Sequence, residues 1–355
     1  MFGGRSGEHE VSLLSARSVL AALDPDRFEA VPVGITREGR WLPPGPAAAL
    51  LREGGGAATT AGAGSAVAPV VPGQLLTGAS GARPPLDVVF PLVHGPSGED
   101  GTLQGLLELC GLPYVGAGVL GSALGMDKIV QKEVLAHQGL PVVAYRAVSR
   151  RQWREDPAGV VDAVVGELGL PCFVKPANLG SSVGITKAHT PEELRAGLRE
   201  ATGLDRRVIA ERAVPECREI ECGVLGNEHP RASVPGEVIP RREFYDYEAK
   251  YGEAGAELVV PAALPASVAA EVAGLAVRAF AALDCAGMAR VDFFLDRRTL
   301  RPTVNEVNTI PGFTATSMFP RLWEASGLPY RALVTRLIEL ALERHLEGPG
   351  VPEES

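Results

Sequence analysis

The sequence predicts an α/β (α+β) protein in which a parallel βα unit is followed by two mixed α+β blocks. At 355 residues and 46% hydrophobic content, the chain carries enough apolar surface for two or three domains. In its first third, apolar strand-like runs alternate with helical patterns, as in Leu86-Asp-Val-Val-Phe-Pro-Leu-Val93 followed by Leu103 to Cys110, which marks parallel βα units. Toward the C-terminus, two strand-like runs flank the turn-forming Asp296-Arg-Arg-Thr299 and predict an antiparallel hairpin.

Composition excludes several functions. The net charge is −9 and the basic residues are scattered, which disfavours a nucleic-acid partner. The five cysteines, at 110, 172, 217, 222 and 285, form no CxxC pair and no zinc spacing, so they read as small buried residues of a reducing compartment. No signal peptide opens the chain, and no run approaches the ~18 apolar residues of a membrane span. A cytoplasmic protein with no membrane partner is expected.

The elements follow in order. Phe2-Gly-Gly-Arg-Ser-Gly-Glu8 reads as a glycine turn opening a helix, yet only two residues precede it where a βα unit needs a strand. An in-frame apolar segment upstream of the start is therefore expected. From about Pro43 to Pro85 the chain turns to Gly, Ala, Pro and Thr without hydrophobic period, as in a flexible surface insertion. A second block runs from a helix around Lys128 to about Ala210, with strands near Pro141–Val148 and Pro171–Lys175. Asp156-Pro157 and Thr190-Pro-Glu-Glu193 cap two of its helices, the latter as a capping box. The third block opens at Val208-Ile-Ala-Glu211. It continues through the strand Glu219–Leu225, a helix over Pro265–Leu283, the hairpin Met288–Val307, and a C-terminal helix with Leu333, Val334, Leu337, Ile338 and Ala341 at core-packing spacing.

Four polar clusters carry the chemistry. Lys175-Pro-Ala-Asn-Leu-Gly-Ser181-Ser-Val-Gly184 follows a strand and has small residues that let amides approach phosphate oxygens, with a lysine to balance charge. Its glycines alone fit a hairpin turn equally well. In the hairpin, Glu306 and Asn308 share a face and pairing brings Asp292 beside them, an all-oxygen set suited to Mg²⁺ on nucleotide phosphates. Taken alone, these alternating residues also fit a solvated strand face. Ile310-Pro-Gly312 adds a tight turn whose amide can face a reacting centre. His94 ends an apolar strand and enters the Gly-rich run to Gly101, the edge where parallel sheets bind ligands, although a lone histidine there also serves as a structural hydrogen-bonder. Glu8 by itself is an acid in a helix's first turn. Glu211 and Glu219, by themselves, fit solvent-exposed carboxylates. Glu243-Phe-Tyr-Asp-Tyr-Glu-Ala-Lys250-Tyr251 has neither helical nor strand period and reads as a cover.

In this order, these motifs resemble the D-alanine–D-alanine ligases of the ATP-grasp superfamily, over nearly the whole chain apart from 43–85, the first strand and the tail after about Leu346. The resemblance implies a three-domain ATP-grasp fold. An N-terminal parallel-sheet βα domain on the substrate side spans 1–118, and two mixed α+β domains, 119–211 and 212–346, clamp ATP, with 347–355 a disordered tail. It implies that Lys128, Lys175, Ser182 and Lys250 bind ATP, with the Gly180–Gly184 loop over its phosphates, Glu211 and the Val214 amide on adenine, and Glu219 on ribose. Asp292, Glu306 and Asn308 would hold two Mg²⁺ or Mn²⁺ ions. Arg290 and the Gly312 amide would stabilise the oxyanion, Ser317 the second substrate's carboxylate, and Glu8 the first substrate's ammonium, with His94 in the same pocket. The implied reaction joins two D-alanines through an acyl phosphate for peptidoglycan precursors, in a homodimer. The tyrosine-rich cover, from about Arg241 to Pro261, would exclude water.

The rivals are a ligase of the same fold using D-lactate or another amino acid, and a nucleotide-binding protein without turnover. Tyr251 speaks against the first, because the resemblance places it on Ser181, which is tied in turn to Glu8, in ligases that use an amine acceptor. Tyr251→Phe is expected to raise D-lactate use relative to D-alanine. An unchanged acceptor ratio, read from product masses in a competition assay, would count against that role.

Overall fold

The computed structural model describes residues 1–53, 86–180, 182–240 and 256–347. The chain opens with a two-residue strand, β1 (Phe2–Gly3). The helix α1 (His9–Ala22) follows, then β2 (Gly34–Ile35), parallel to β1, and β3 (Trp41–Leu42), antiparallel to β2. On the other side of β1, the buried Met1 amino group, lowered to about 5 by its burial, donates to the Phe90 carbonyl at 2.9 Å. Leu92 N–H returns a bond to the Met1 carbonyl at 2.8 Å, and Val89 bridges Tyr114 in parallel. The expected strand over Leu86–Val93 is thus present only as this bridge and these bonds. Pro91 removes a donor from its middle and Pro113 from its partner.

The expectation of a structureless 43–85 insertion is corrected over its first part. Pro44–Glu53 forms helix α2, and Ala47, Leu50 and Leu51 bury against α1. Those three sit at i, i+3 and i+4, a helical stripe masked by the Gly- and Pro-rich composition around it. Three helices carry the chain onward: α3 (Thr102–Leu109), α4 (Val119–Met126) and α5 (Lys128–His137).

The middle of the chain contains β4 (Tyr145–Ser149), α6 (Arg150–Glu155), α7 (Pro157–Leu168), β5 (Cys172–Pro176), β6 (Thr186–Ala188), α8 (Pro191–Leu204) and β7 (Arg207–Arg212). Both expected caps form. Asp156 accepts from Gly159 N–H and Thr190 from Glu193 N–H, but the Glu193 carboxylate reaches the His189 amide rather than that of Thr190, so the box is not reciprocal. The strands pair as β4-β7-β5-β6, all antiparallel. Val208–Glu211 therefore closes the second block's sheet instead of opening the third, because its register places Ala210 opposite both Arg146 and Val174.

The last sheet is built from β8 (Cys217–Gly226), β9 (Arg231–Ala232), β10 (Gly236–Ile239), β11 (Glu257–Val259), β12 (Gly287–Asp296) and β13 (Pro302–Asn308), in the order β11-β10-β8-β12-β13 with β9 on β8. The helix α9 (Ala266–Ala282) packs Val272, Ala276, Ala279 and Phe280 against Ile220, Cys222, Val224, Val291, Phe293, Val304 and Val307 on one face. The other face carries Arg290 and Asp292 of β12 and Glu221 of β8 beside Met288 and Leu225, which are buried with Phe319 and Trp323. Two final helices, α10 (Met318–Ala325) and α11 (Tyr330–Glu347), return to the first unit. The predicted stripe Leu333, Val334, Leu337, Ile338 and Ala341 is buried in one cluster with Leu13 and Ala16 of α1 and with Phe313, so the chain's two ends share a core.

Leu337 has no exposed surface and Leu346 is 84% exposed. Leu337→Ala is expected to cost about 2–5 kcal/mol, whereas Leu346→Ala stays within about 0.5 kcal/mol, as read from urea unfolding midpoints.

Candidate functional site

The polar face of the last sheet is organised by register. Asp292 pairs with Glu221 on β8 to one side and with Glu306 on β13 to the other, and Arg290 pairs with Gly223 and Asn308. Residues two apart on a strand share a face, so Arg290 and Asp292 stand together with Glu221, Glu306 and Asn308. Arg290 holds Asp292 with two bonds of 2.7 Å and reaches Glu221 at 2.9 Å. Asn308 donates its side-chain amide to Asp292 at 3.0 Å. Burial alone would lower Arg290, but Asp292 and Glu221 raise it well above its ordinary range, so the guanidinium stays charged.

The two-residue period fails once along β13, and that failure shapes the site. Phe293 pairs with Val304 while Asp292 pairs with Glu306, so Asn305 is an extra, bulged residue. Val304 and Val307, three apart, both enter the core, and the bulge turns Glu306 onto the polar face with Asn308.

Across from this acidic row lies a buried trio of charges. Glu211, 2% exposed, accepts from Lys175 at 2.7 Å and pairs with Lys132 at 3.3 Å. Burial by itself would raise Glu211, yet Lys132 and Lys175 hold it below its ordinary value. Burial pushes Lys132 down, with Glu211 opposing. Lys175 ends up raised: burial would lower it, but Glu211 and then Glu306 outweigh that. The influence of Glu306 and Glu219 on Lys175 places the acidic row near the lysines. Two ammonium groups against one carboxylate leave a positive balance suited to phosphate. On the other side, one guanidinium against Asp292, Glu221 and Glu306 leaves a negative balance suited to a cation.

Lys128 begins α5 and donates to the Leu179 carbonyl at 2.7 Å, which ties that helix to the Lys175–Gly184 run. Gly95 and Gly180 come together around Glu8: a Cβ on either would lie 2.9 Å from Glu8 Oε2. The phosphate-loop candidate and the His94 turn therefore meet at the start of α1. His94 is buried, with Nδ1 3.1 Å from the Ile310 carbonyl and Nε2 3.4 Å from Ser15 Oγ. Burial lowers its imidazole, consistent with a neutral ring whose Nδ1–H donates to Ile310. It thus fixes the Ile310-Pro-Gly312 turn against α1. A Cβ on Gly312 would lie 3.3 Å from Ser317 Oγ, and that hydroxyl accepts from Thr314 N–H at 3.1 Å. Gly312 and Ser317 are neighbours.

Val214 follows β7, and Glu219 lies on β8 opposite Phe294. Both oxygens of Glu211 hold lysines. Ser182 is described, with φ +60. Ser181, Lys250, Tyr251 and the cover over 241–255 lie outside the described residues.

The donor set fits a magnesium or manganese ion. Asp292, Glu306 and Asn308 would offer it hard oxygens from two carboxylates and an amide; among the described residues no group of three or more His, Cys, Asp and Glu is arranged to hold a metal by itself. Mg²⁺ is commonly held in this way, by one or two carboxylates with the substrate's phosphates completing its shell.

Comparison with known proteins places this geometry in context. Two family models match, "D-ala D-ala ligase N-terminus" over residues 1–117 and "D-ala D-ala ligase C-terminus" over 134–339. A D-alanine–D-alanine ligase of Deinococcus radiodurans is 55% identical over 342 residues, covering 96% of this chain and 97% of that protein. The solved D-alanine–D-alanine ligase from Coxiella burnetii superposes with a TM-score of 0.81 at 39% identity, over 98% of this chain and 93% of that one. The VanG D-Ala:D-Ser ligase from Enterococcus faecalis gives a TM-score of 0.83 at 33% identity, over 96% and 97%.

Sequence reasoning assigned no role to Lys132, Glu221 or Glu99. The first two had a signal, because Lys132 lies one helical turn after Lys128 and Glu221 alternates with Glu219. Glu99 accepts from Gly95 N–H at 2.6 Å. Burial, and then the Glu8 carboxylate, push it up to about 8, against the Gly95 and Ile310 backbone groups and Lys128. Between its ordinary value near 4.5 and about 8 the folded state therefore holds a proton that the unfolded chain has released. Stability falls as pH rises through that window, by at most about 1.4 kcal/mol per unit, and levels off above it. Glu99→Gln is expected to remove this slope, so that its Tm gains on that of the parent from pH 5 to pH 8. Parallel curves would assign Glu99 an ordinary ionisation.

Proposed function

This chain belongs to the D-alanine–D-alanine ligase family, and from that premise we propose that it joins two D-alanines at the expense of ATP with the residues assembled above. The observation that carries the reading is the acidic row Asp292–Glu306–Asn308 beside Arg290, set near the Lys175–Glu211 pair, which provides for a divalent cation and for phosphate in one cleft. The family is ATP-dependent and uses a divalent metal, and its fold is the ATP-grasp fold. We read 1–118, 119–211 and 212–346 as its three domains, with β7 closing the second and α11 packed on the first.

The carboxylate of one D-alanine attacks the γ-phosphorus of ATP, the bond to the bridging oxygen of ADP breaks, and an acyl phosphate forms. The amine of the second D-alanine then attacks the acyl carbon, phosphate departs, and the amine loses a proton. Neither step needs a protein nucleophile, so catalysis rests on placement and charge. Lys128 and Lys175 neutralise phosphate oxygens under the Gly180–Gly184 loop with Ser182. Glu211 serves by fixing Lys175, while the Val214 amide meets adenine, Glu219 the ribose and Lys250 the nucleotide. Arg290 and the Gly312 amide take the charge that develops on the acyl oxygen. Ser317 holds the second substrate's carboxylate and Glu8 the first substrate's ammonium. His94 orients the Gly312 turn, and Tyr251 with Ser181 completes the acceptor pocket. Asp292, Glu306 and Asn308 would hold two Mg²⁺ or Mn²⁺ ions, which supply charge neutralisation on the transferring phosphoryl group. We assign the enzyme to the cytoplasm as a homodimer; no helix among the described residues is long and apolar enough to cross a membrane.

Phosphate release from Mg-ATP should depend on D-alanine and yield the dipeptide by mass, with L-alanine inert and D-serine or D-lactate poor acceptors. Glu306→Gln is expected to lower kcat by about 10²-fold or more, the scale of one lost electrostatic contact in a transition state. ATP binding without D-alanine-dependent release would sink the reading in favour of a non-catalytic binder, and a mixed product with D-serine would move it to the other acceptor.

A further inference from the structure

β13 is the outer strand of its named sheet, and at its other edge the strand-like pairing among the described residues is limited to the bridge Val142–Val304, with Val304 N–H donating to the Pro141 carbonyl at 2.8 Å. An uncovered edge leaves N–H and C=O groups without hydrogen bonds and lets the strand slip in register. Beyond that bridge the edge is covered from α5 by two side chains. Gln131, 1% exposed, accepts from Val307 N–H at 3.0 Å through Oε1 and donates to the Val307 carbonyl at 3.0 Å through Nε2. Its second N–H goes to the Gly125 carbonyl at 2.7 Å, so every polar atom of the amide is used toward a backbone group. Lys132, also 1% exposed, donates to the carbonyl of the bulged Asn305 at 2.8 Å. The residue between these two anchored positions is Glu306.

We propose that Gln131 is a positioning residue for the metal site: its amide stands in for a missing neighbouring strand at Val307 and locks the bulge that turns Glu306 and Asn308 onto the polar face. The inference rests on the proposed assignment of Asp292, Glu306 and Asn308 as the cation's ligands. The physical need for the lock follows from the sequence of β13. With a strict two-residue period, Glu306 would share the face of Val304, which is fully buried in the core against α9. The bulge reverses that, and past the Val142–Val304 bridge the bulged residue and those after it have strand pairing from β12 alone. Gln131 supplies the other side with the donor and acceptor that a strand residue would supply. Lys132 supplies a third bond at the bulge itself. Lys128, on the same helix, holds the Leu179 carbonyl, so a displacement of α5 would be felt by the phosphate loop and the acidic row together.

The test is manganese binding by the full-length enzyme in the presence of a non-hydrolysable ATP analogue, followed by electron paramagnetic resonance, alongside steady-state kinetics. Gln131→Met keeps the length of the side chain and removes both hydrogen-bonding functions. It is expected to weaken Mn²⁺ binding by about 10–100-fold, the range for losing a group that orients a ligand, and to lower kcat while leaving KM for D-alanine within about twofold. Val304→Ala is the matched control, since it opens a cavity in the core of the same strand. It is expected to lower Tm and leave the Mn²⁺ Kd within about twofold. Should Gln131→Met not fold, Gln131→Asn, with the amide one methylene short, carries the same comparison with a smaller loss. An Mn²⁺ Kd in the Gln131 variant no weaker than in Val304→Ala overturns the proposal and leaves a merely structural edge cap. Glu306→Gln separates the two levels. If it weakens Mn²⁺ binding while Gln131→Met does not, only the role of Gln131 fails; if it too leaves binding unchanged, the ligand assignment fails and takes the proposal with it.

Discussion

Glu211 is 2% exposed, with an ammonium group 2.7 Å away on one side and another 3.3 Å away on the other. A carboxylate so buried is tolerated only when opposite charge and hydrogen bonds replace its water, and removing either lysine would leave a charge that the surroundings cannot solvate. The contact also decides placement. Glu211 lies on β7, Lys175 on β5 and Lys132 on α5, so one side chain fixes a central strand, the strand that leads toward Gly180, and a helix that reaches the next sheet. Such a trio contributes little net stability compared with an apolar core of the same volume. What it provides is a single arrangement, with ammonium groups held close to β13 and its acidic row.

The sheet beyond it is set by the same economy of charge. Arg290 stands among Asp292, Glu221 and Glu306 on a face that α9 does not cover, while the opposite face is closed by aliphatic side chains. The apolar face provides the rigidity, and the polar face carries more negative charge than its guanidinium balances. An excess of one sign on a stiff surface, beside an excess of the other on the lysines, is the arrangement that a metal–phosphate ligand neutralises. His94 and Ser15 attach the Ile310-Pro-Gly312 turn to α1, and α11 joins the core of the first unit. The first unit and the last sheet are therefore linked through packed elements.

What could be read from the sequence was local. The caps at Asp156 and Thr190, the stripe on the last helix, and the hairpin around Asp296-Arg-Arg-Thr299 all formed because each depends on residues within a few positions of one another. The same holds for the family resemblance, which rests on short motifs in a fixed order. The stripe of α2 was overlooked because it is only three apolar residues set in a Gly- and Pro-rich context. The strand at Leu86–Val93 was overestimated because an apolar run does not disclose how few partners its prolines leave it.

By itself, then, the sequence determined the fold class, the caps of two helices, and the alternation that puts Glu306 and Asn308 on one face, since propensity and period act along the chain. The tertiary structure decided which partners those side chains met. The pairing of Glu211 with two lysines, the rise of Glu99 next to Glu8, and the Asn305 bulge held by Gln131 and Lys132 all join residues distant in sequence. Their strength comes from burial and close approach, which exist only once separate elements have packed.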